Sequence, residues 1–153
     1  MKKVSIEDLT RLAESDSARA QYELARMFER GERIQIDREA ALDWYARAAS
    51  NGMKEAAVSA GDLCKKIGRY EDAFNWYEKS AKDGYVEGEW RLGVLYEEGN
   101  GCVQNYERAK EWYEKAYISI RELNDQCDSK TKDVKRERAC QKVCWLLGRI
   151  YDL

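Results

Sequence analysis

An all-α fold of stacked antiparallel helix pairs, an α-solenoid, is what this sequence predicts, and three observations carry the prediction. A Trp-Tyr pair recurs at Trp44-Tyr45, Trp76-Tyr77 and Trp112-Tyr113, 32 and then 36 residues apart. Between the pairs, apolar residues fall at i, i+3 and i+4, the signature of amphipathic helices. The 153 residues include no proline, so nothing interrupts those helices. Self-similarity at this period marks units that bury their apolar faces on one another.

The elements follow in order. Ser5 to Asp8 reads as a capping box, and "IEDLTRLAES" aligns with the end of a unit's second helix, so the chain opens on a helix of that B type. Helix A of the first unit is "AQYELARMFERG" (20–31), with Leu24, Ala25 and Phe28 in its stripe and Gly31 placed for a left-handed C-cap. Helix B starts at the N-cap Asp37 and runs through Ala40, Ala41, Trp44, Tyr45, Ala48 and Ala49. The second unit is four residues shorter, with a tight turn at Gly68 and a weaker first helix. In the third, Leu92, Gly93, Tyr96 and Gly99 align with Leu24, Ala25, Phe28 and Gly31 at an offset of 68, and Asn105 caps a helix B containing Ala109, Trp112, Tyr113 and Ala116. The small residue at 25 and 93 lets a neighbouring helix approach closely. Trp44, Trp76, Trp112 and Met27 are expected in the core.

The last ten residues, "CWLLGRIYDL", put Leu147, Gly148 and Tyr151 at helix A positions of a fourth unit, a closing A helix that caps the array. The offset to it is 55 residues rather than 36, and the surplus lies around 121–138. That stretch is polar and charged. It reads as a solvated extension of one or both flanking helices around a loop, or as an insertion that contacts a partner. The expected organisation is one repeat domain, 1–153, with repeats at about 18–52, 54–84 and 86–120, the polar insertion 121–138 and the capping helix 139–153.

This pattern resembles the Sel-one-like repeat (SLR) family, relatives of the tetratricopeptide repeats. The family unit runs roughly small-x-x-Tyr-x-Leu-Gly-x-x-Tyr, then Gly-x-Gly-Val, Asp, and Trp-Tyr-x-Lys-Ala-Ala-x-x-Gly. The resemblance covers about residues 12–118 and returns in the last ten. Residues 20–52 and 88–117 match well, whereas the short middle unit is more tetratricopeptide-like. What the resemblance implies is a range of binding roles: adaptors in signalling and degradation complexes, and in bacteria, regulators and small immunity proteins that neutralise a toxin by binding it.

The residues themselves exclude much chemistry. Histidine is absent, which removes the usual general base near neutral pH, imidazole-dependent triads and most catalytic zinc sites. Five cysteines with no CxxC would have to supply four thiolates from scattered positions to hold zinc. Cys140 and Cys144, four apart on a helix, sit too far apart for a disulfide. Adjacent carboxylates such as Glu97 and Glu98 point in different directions, and no phosphate-cradling glycine loop occurs. We therefore expect no enzyme, no cofactor and no metal. A net charge of -2 provides no global attraction to nucleic acid or anionic lipid. With neither a signal-type apolar run nor a stretch approaching the ~18 apolar residues of a membrane span, a cytoplasmic location is expected.

What remains is a concave face lined by helix A side chains. Two places before the core Leu fall Tyr22, Val58, Trp90 and Trp145; two places after fall Arg26, Asp62, Val94 and Arg149; Glu55, Glu97 and Asp152 form the rim. Aromatics and arginines bordered by acids are the residue types that dominate binding hot spots. Tyr22 suits the groove and inter-repeat packing equally, whereas Trp90 and Trp145 suit the groove. The expected function is non-catalytic protein binding to one partner in this groove, as an immunity-type inhibitor of a cognate toxin or as an adaptor. The alternative is RNA binding by a helical repeat, for which Arg26 and Arg149 are opposed by Glu55, Asp62 and Glu97. A redox role through Cys102 or Cys127 is the remaining idea.

Overall fold

The computed structural model of the chain describes residues 5–125 and 134–151. Among these residues the regular structure is all helical: α1 (Ile6–Glu14), α2 (Ala18–Arg30), α3 (Arg38–Ser50), α4 (Lys54–Lys66), α5 (Tyr70–Lys82), α6 (Val86–Glu98), α7 (Tyr106–Asp125) and α8 (Val134–Tyr151). The caps read from sequence are in place. Ser5 Oγ accepts the Asp8 N–H at 3.0 Å and donates to the Asp8 carboxylate at 2.8 Å, so the acid answers the hydroxyl rather than the N-cap backbone. Asp37 accepts from the Ala40 N–H at 3.0 Å, and Asn105 from the Arg108 N–H at 2.9 Å.

The 68-residue offset is a backbone repeat as well as a sequence repeat. Gly31 and Gly99 end α2 and α6 at φ 71° and 70°, and their N–H groups reach Met27 O and Leu95 O at 2.8 Å each. The next residues, Glu32 and Asn100, donate to those same carbonyls at 3.2 Å. Such paired bonds satisfy carbonyls that a helix end leaves open. The Asp37 N–H then returns to Phe28 O at 3.0 Å, and that of Asn105 to Tyr96 O at 2.8 Å, which turns each following helix back antiparallel. A second motif closes the B helices. Ser17, Met53 and Tyr85 donate to Leu12, Ala48 and Ser80 at 3.2, 3.0 and 3.1 Å, with Asp16, Gly52 and Gly84 at positive φ before them. Sharing this ending, α1 is the B-like helix expected.

The chain divides within α5 into two compact units, Met1–Trp76 and Tyr77–Leu153. In the first, α2 packs on α1 and α3, and α3 on α4; in the second, α7 packs on α6 and α8. Tyr45, Tyr77 and Tyr113 are fully buried, while Trp44, Trp76 and Trp112, expected in the core, are only half buried. The reason is helical phase. Each tyrosine shares a face with small residues four before and three after it, Ala41 and Ala48 or Ala109 and Ala116. The tryptophan, one residue earlier, is turned to the edge. There Arg47 lies 4.7 Å over the Trp44 ring and Lys115 4.6 Å over Trp112. Met27 is likewise half buried rather than core.

Beyond the third repeat both flanking helices lengthen, as one reading of the polar stretch anticipated: α7 has 20 residues against 13 in α3 and α5, and α8 has 18. The connection between them, with Cys127, lies outside the described residues. Among the described side chains of α8 the buried ones are Val143 and Leu146; Leu147, expected at the core position, is half buried and Gly148 is exposed. The register differs because no described helix covers this end of α8 as Tyr113 covers Gly93. A Cβ added at Gly93 would lie 2.5 Å from Tyr113 Cε1 and 3.2 Å from Ala109 O, whereas one at Gly148 would meet nothing within 4 Å.

Gly93→Leu should therefore lower unfolding stability by about 3 kcal/mol in urea titration. Gly148→Ala should leave it unchanged or raise it by up to about 1 kcal/mol through helix propensity. Equal effects at the two glycines would contradict the close packing at Gly93.

Candidate functional site

In the first unit, the helix A residues singled out from sequence lie on α2 and α4. Tyr22 is half buried, its hydroxyl 3.1 Å from Ser59 Oγ and its ring 5.5 Å from the Tyr45 ring, tilted at 57°. Arg26 lies 6.0 Å over that ring and pairs with Glu23 at 3.4 Å. Tyr22 thus joins α2 to α4 while keeping an open edge. Val58 is buried, 5% exposed, so it faces the core and not a groove. The cause is α4's run of small residues, Ala56, Ala57, Ala60 and Gly61, which all pack inward. Asp62 is half buried and Glu55 exposed.

In the second unit the candidates lie on α6 and α8. Trp90 is half buried against the core cluster of Val86, Ala116, Ile120 and Val143, with Arg91 4.7 Å over its ring. Val94 is half buried. Glu97, expected on the rim, is only 8% exposed. Its carboxylate accepts the Tyr113 hydroxyl at 2.8 Å and pairs with Arg149 at 2.7 Å. Arg149 in turn lies 4.9 Å over Trp145, and Lys142 sits 4.7 Å from the same ring. Trp145 is 55% exposed. A chain of contacts therefore runs from the core phenol, through a buried carboxylate, to an exposed tryptophan clasped by two cations. Asp152 lies outside the described residues.

The structure brings Glu97, Trp145 and Arg149 together in one unit, and Tyr22 with Arg26 in the other. Sequence reasoning missed Lys142, three residues before Trp145 on the same face, and the matching acceptor Glu29, whose carboxylate takes the Tyr45 hydroxyl at 2.7 Å. Glu29 and Glu97 stand at the same 68-residue offset as their tyrosines, a signal that was available.

These pairs set the titration of the site. Burial first, then the hydrogen bond to Glu29 and its negative charge, holds the Tyr45 phenol far above its ordinary value. Tyr113 is raised by burial, the bond to Glu97 and its charge, with Arg149 opposing. Burial pushes the Cys64 thiol up to about 11 and also raises Cys102, so neither is an activated thiolate. Cys140 is raised by burial and then by neighbouring Cys144. Among the described residues, no group of three or more Cys, Asp or Glu could hold a metal ion, and no helix is long and apolar enough to cross a membrane.

Helix pairs with interlocked turns define a repeat protein of the α-solenoid class. The chain belongs to the Sel1 repeat family: Sel1 repeats match at residues 18–53, 67–85 and 86–118. Proteins of this family mediate protein–protein interaction. A curated relative, the ERAD-associated E3 ubiquitin-protein ligase component HRD3 of Candida glabrata, is 30% identical over 103 residues, 67% of this chain and 12% of that protein. The chain thus spans about an eighth of that relative's length. A Sel1 repeat protein from Oxalobacter formigenes superposes with a TM-score of 0.59 at 29% identity, over 90% of this chain and 97% of that one. A protective antigen present in uropathogenic Escherichia coli strains, displaying an SLR fold, gives 0.66 at 32% identity, over 80% and 28%.

Because both phenols have raised pKa values in the fold, the stability they contribute is fully present below their ordinary value of about 10 and declines as pH rises above it, by about 1.4 kcal/mol per pH unit for each tyrosine. Urea titrations from pH 8 to about 11.5 should show this slope in the wild type, and a shallower one in a Tyr45→Phe, Tyr113→Phe variant. Identical slopes would mean that neither phenol is held protonated by the fold.

Proposed function

We propose that this chain is a non-catalytic interaction module that holds one partner protein against its helix A faces. The observation that carries the reading is Trp145, held out at 55% exposure between Lys142 and Arg149. Tryptophan and arginine are the residue types that most often dominate binding energy when covered. Arg149 is already fixed by Glu97, which is itself fixed by Tyr113, so less side-chain freedom is lost on binding. Membership of a family of interaction scaffolds supports the same reading.

Within it, a dedicated inhibitor of the immunity type, occluding the working surface of a toxin, and an adaptor joining two proteins differ in what the partner does once bound. An inhibitor silences a single stoichiometric partner. An adaptor leaves its partner active and brings a third protein with it. Either role suits a cytoplasmic chain.

Affinity purification from the native host tests this, with wild type beside Trp145→Ala and mass spectrometry as the readout. Trp145 is more than half exposed, so the variant should keep the wild-type helical circular dichroism. A stoichiometric protein recovered by wild type and depleted by the variant is the expected result. If no protein is enriched by either, the interaction reading is wrong.

A further inference from the structure

The described side chains of α8 divide into two faces. Val143 and Leu146 are buried, while Arg138, Lys142, Trp145 and Arg149 are all exposed. These four fall at i, i+4, i+7 and i+11, so they form one stripe climbing roughly 16 Å along the helix. No carboxylate interrupts it. Along its whole length α8 carries five Lys and Arg residues and a single carboxylate, Glu137, in a chain whose net charge is -2. This helix therefore carries a net positive charge within a chain that is net negative.

Arg149 uses one guanidinium nitrogen on Glu97 and, half exposed, retains further N–H donors for a second acceptor. Lys142 makes its one described side-chain contact with the Trp145 ring. Ammonium and guanidinium groups resting on an indole face keep their charge and still accept a carboxylate partner. The stripe is a row of cationic donors around an aromatic anchor.

Resting on the reading that the chain binds a protein, we infer that the exposed stripe of α8 docks an acidic peptide segment of that partner, whose carboxylates meet Arg138, Lys142 and Arg149 around Trp145. Charge complementarity selects the occupant. It also selects against nucleic acid. The helix tied to α8 by the Glu97–Arg149 pair is α6, which, besides the buried Glu89 and Glu97, brings Glu87 and the exposed Glu98 to its surface. A phosphate backbone, charged at every residue, meets repulsion there, whereas a peptide can confine its carboxylates to the α8 stripe. Stacking of single strands also uses successive aromatic platforms, and this stripe has one aromatic.

The test is fluorescence anisotropy on the full chain, using a labelled peptide of alternating Glu and Leu, its Gln-for-Glu counterpart and single-stranded oligo(U), with wild type, Lys142→Glu and Trp145→Ala. The Glu peptide should bind wild type at least about tenfold more tightly than the Gln peptide at low salt, and added salt should shrink that preference. Each variant should weaken the Glu peptide by about tenfold while keeping wild-type circular dichroism. Equal binding of the two peptides, or indifference to Lys142→Glu, overturns the inference; so does oligo(U) displacing the Glu peptide at lower concentration than unlabelled peptide does. Failure here is separable from failure of the broader reading. If Lys142→Glu still recovers the wild-type partner from the host, the acidic docking stripe is wrong and protein binding stands. If wild type recovers no protein, both are wrong.

Discussion

The constraint on which the rest depends is the seat of the helix B tyrosine. Tyr45 and Tyr113 are fully buried, and at Gly93 there is no room for even one more carbon beside the Tyr113 ring. So close an approach commits the α6–α7 pair to a single phase. It also carries a phenol into the interior, and a buried hydroxyl without a partner costs roughly 1–3 kcal/mol. Glu29 and Glu97, each the last residue but one of its helix A, supply the acceptor in both repeats. The tyrosine seat and its carboxylate are one device.

That device has a consequence at the surface. A carboxylate that accepts a core hydroxyl cannot swing out to solvent, and Glu97 is buried with one oxygen still to satisfy. Arg149 satisfies it. A guanidinium so anchored lies over Trp145, and the indole is held away from the core rather than folded into it. The candidate binding surface is thus an outgrowth of the packing solution, linked to it by three successive polar contacts. Breaking the chain at Glu97 would disturb both ends.

The sequence carried the repeat, the helix order, the glycine C-caps and the N-caps at Ser5, Asp37 and Asn105, because each depends on local chemistry at fixed offsets. It was less informative wherever the outcome depends on which face a neighbouring helix covers. Trp44, Trp76 and Trp112 read as core, but the tyrosine beside each one takes the inward face that also carries the small residues. Val58 read as groove-lining by alignment, yet the alanines around it on α4 draw that helix inward. Glu97 read as rim, one of two adjacent carboxylates near a helix end. Its offset from Glu29, matched by Tyr45 and Tyr113, held the correct answer in a pair of residues that neither position discloses alone. The core register of α8 was misjudged for a different reason: the alignment carried over the register of α2 and α6, each of which packs on the helix B that follows it.

The end of the third repeat explains why α8 departs from the pattern. In the first repeat Gln21, buried on helix A, donates to Ala13 O and accepts from Asn51, the C-cap of α3, and Gly52 then turns the chain at positive φ. At the matching positions of the third repeat stand Glu89, Ser119 and Ile120. With no glycine to break it, α7 runs on to Asp125, and Ile120 becomes a core residue packed with Val86, Ala116 and Val143 of α8. The same change removes the asparagine that would have met residue 89. Glu89 is 1% exposed, one of its oxygens has no hydrogen-bond partner, and the other is 3.6 Å from Lys115. An orphaned buried oxygen is a cost that packing alone would not retain. It accompanies the helix extension that seats α8 on α7 and leaves the flank of α8 that carries its cations and Trp145 turned to solvent.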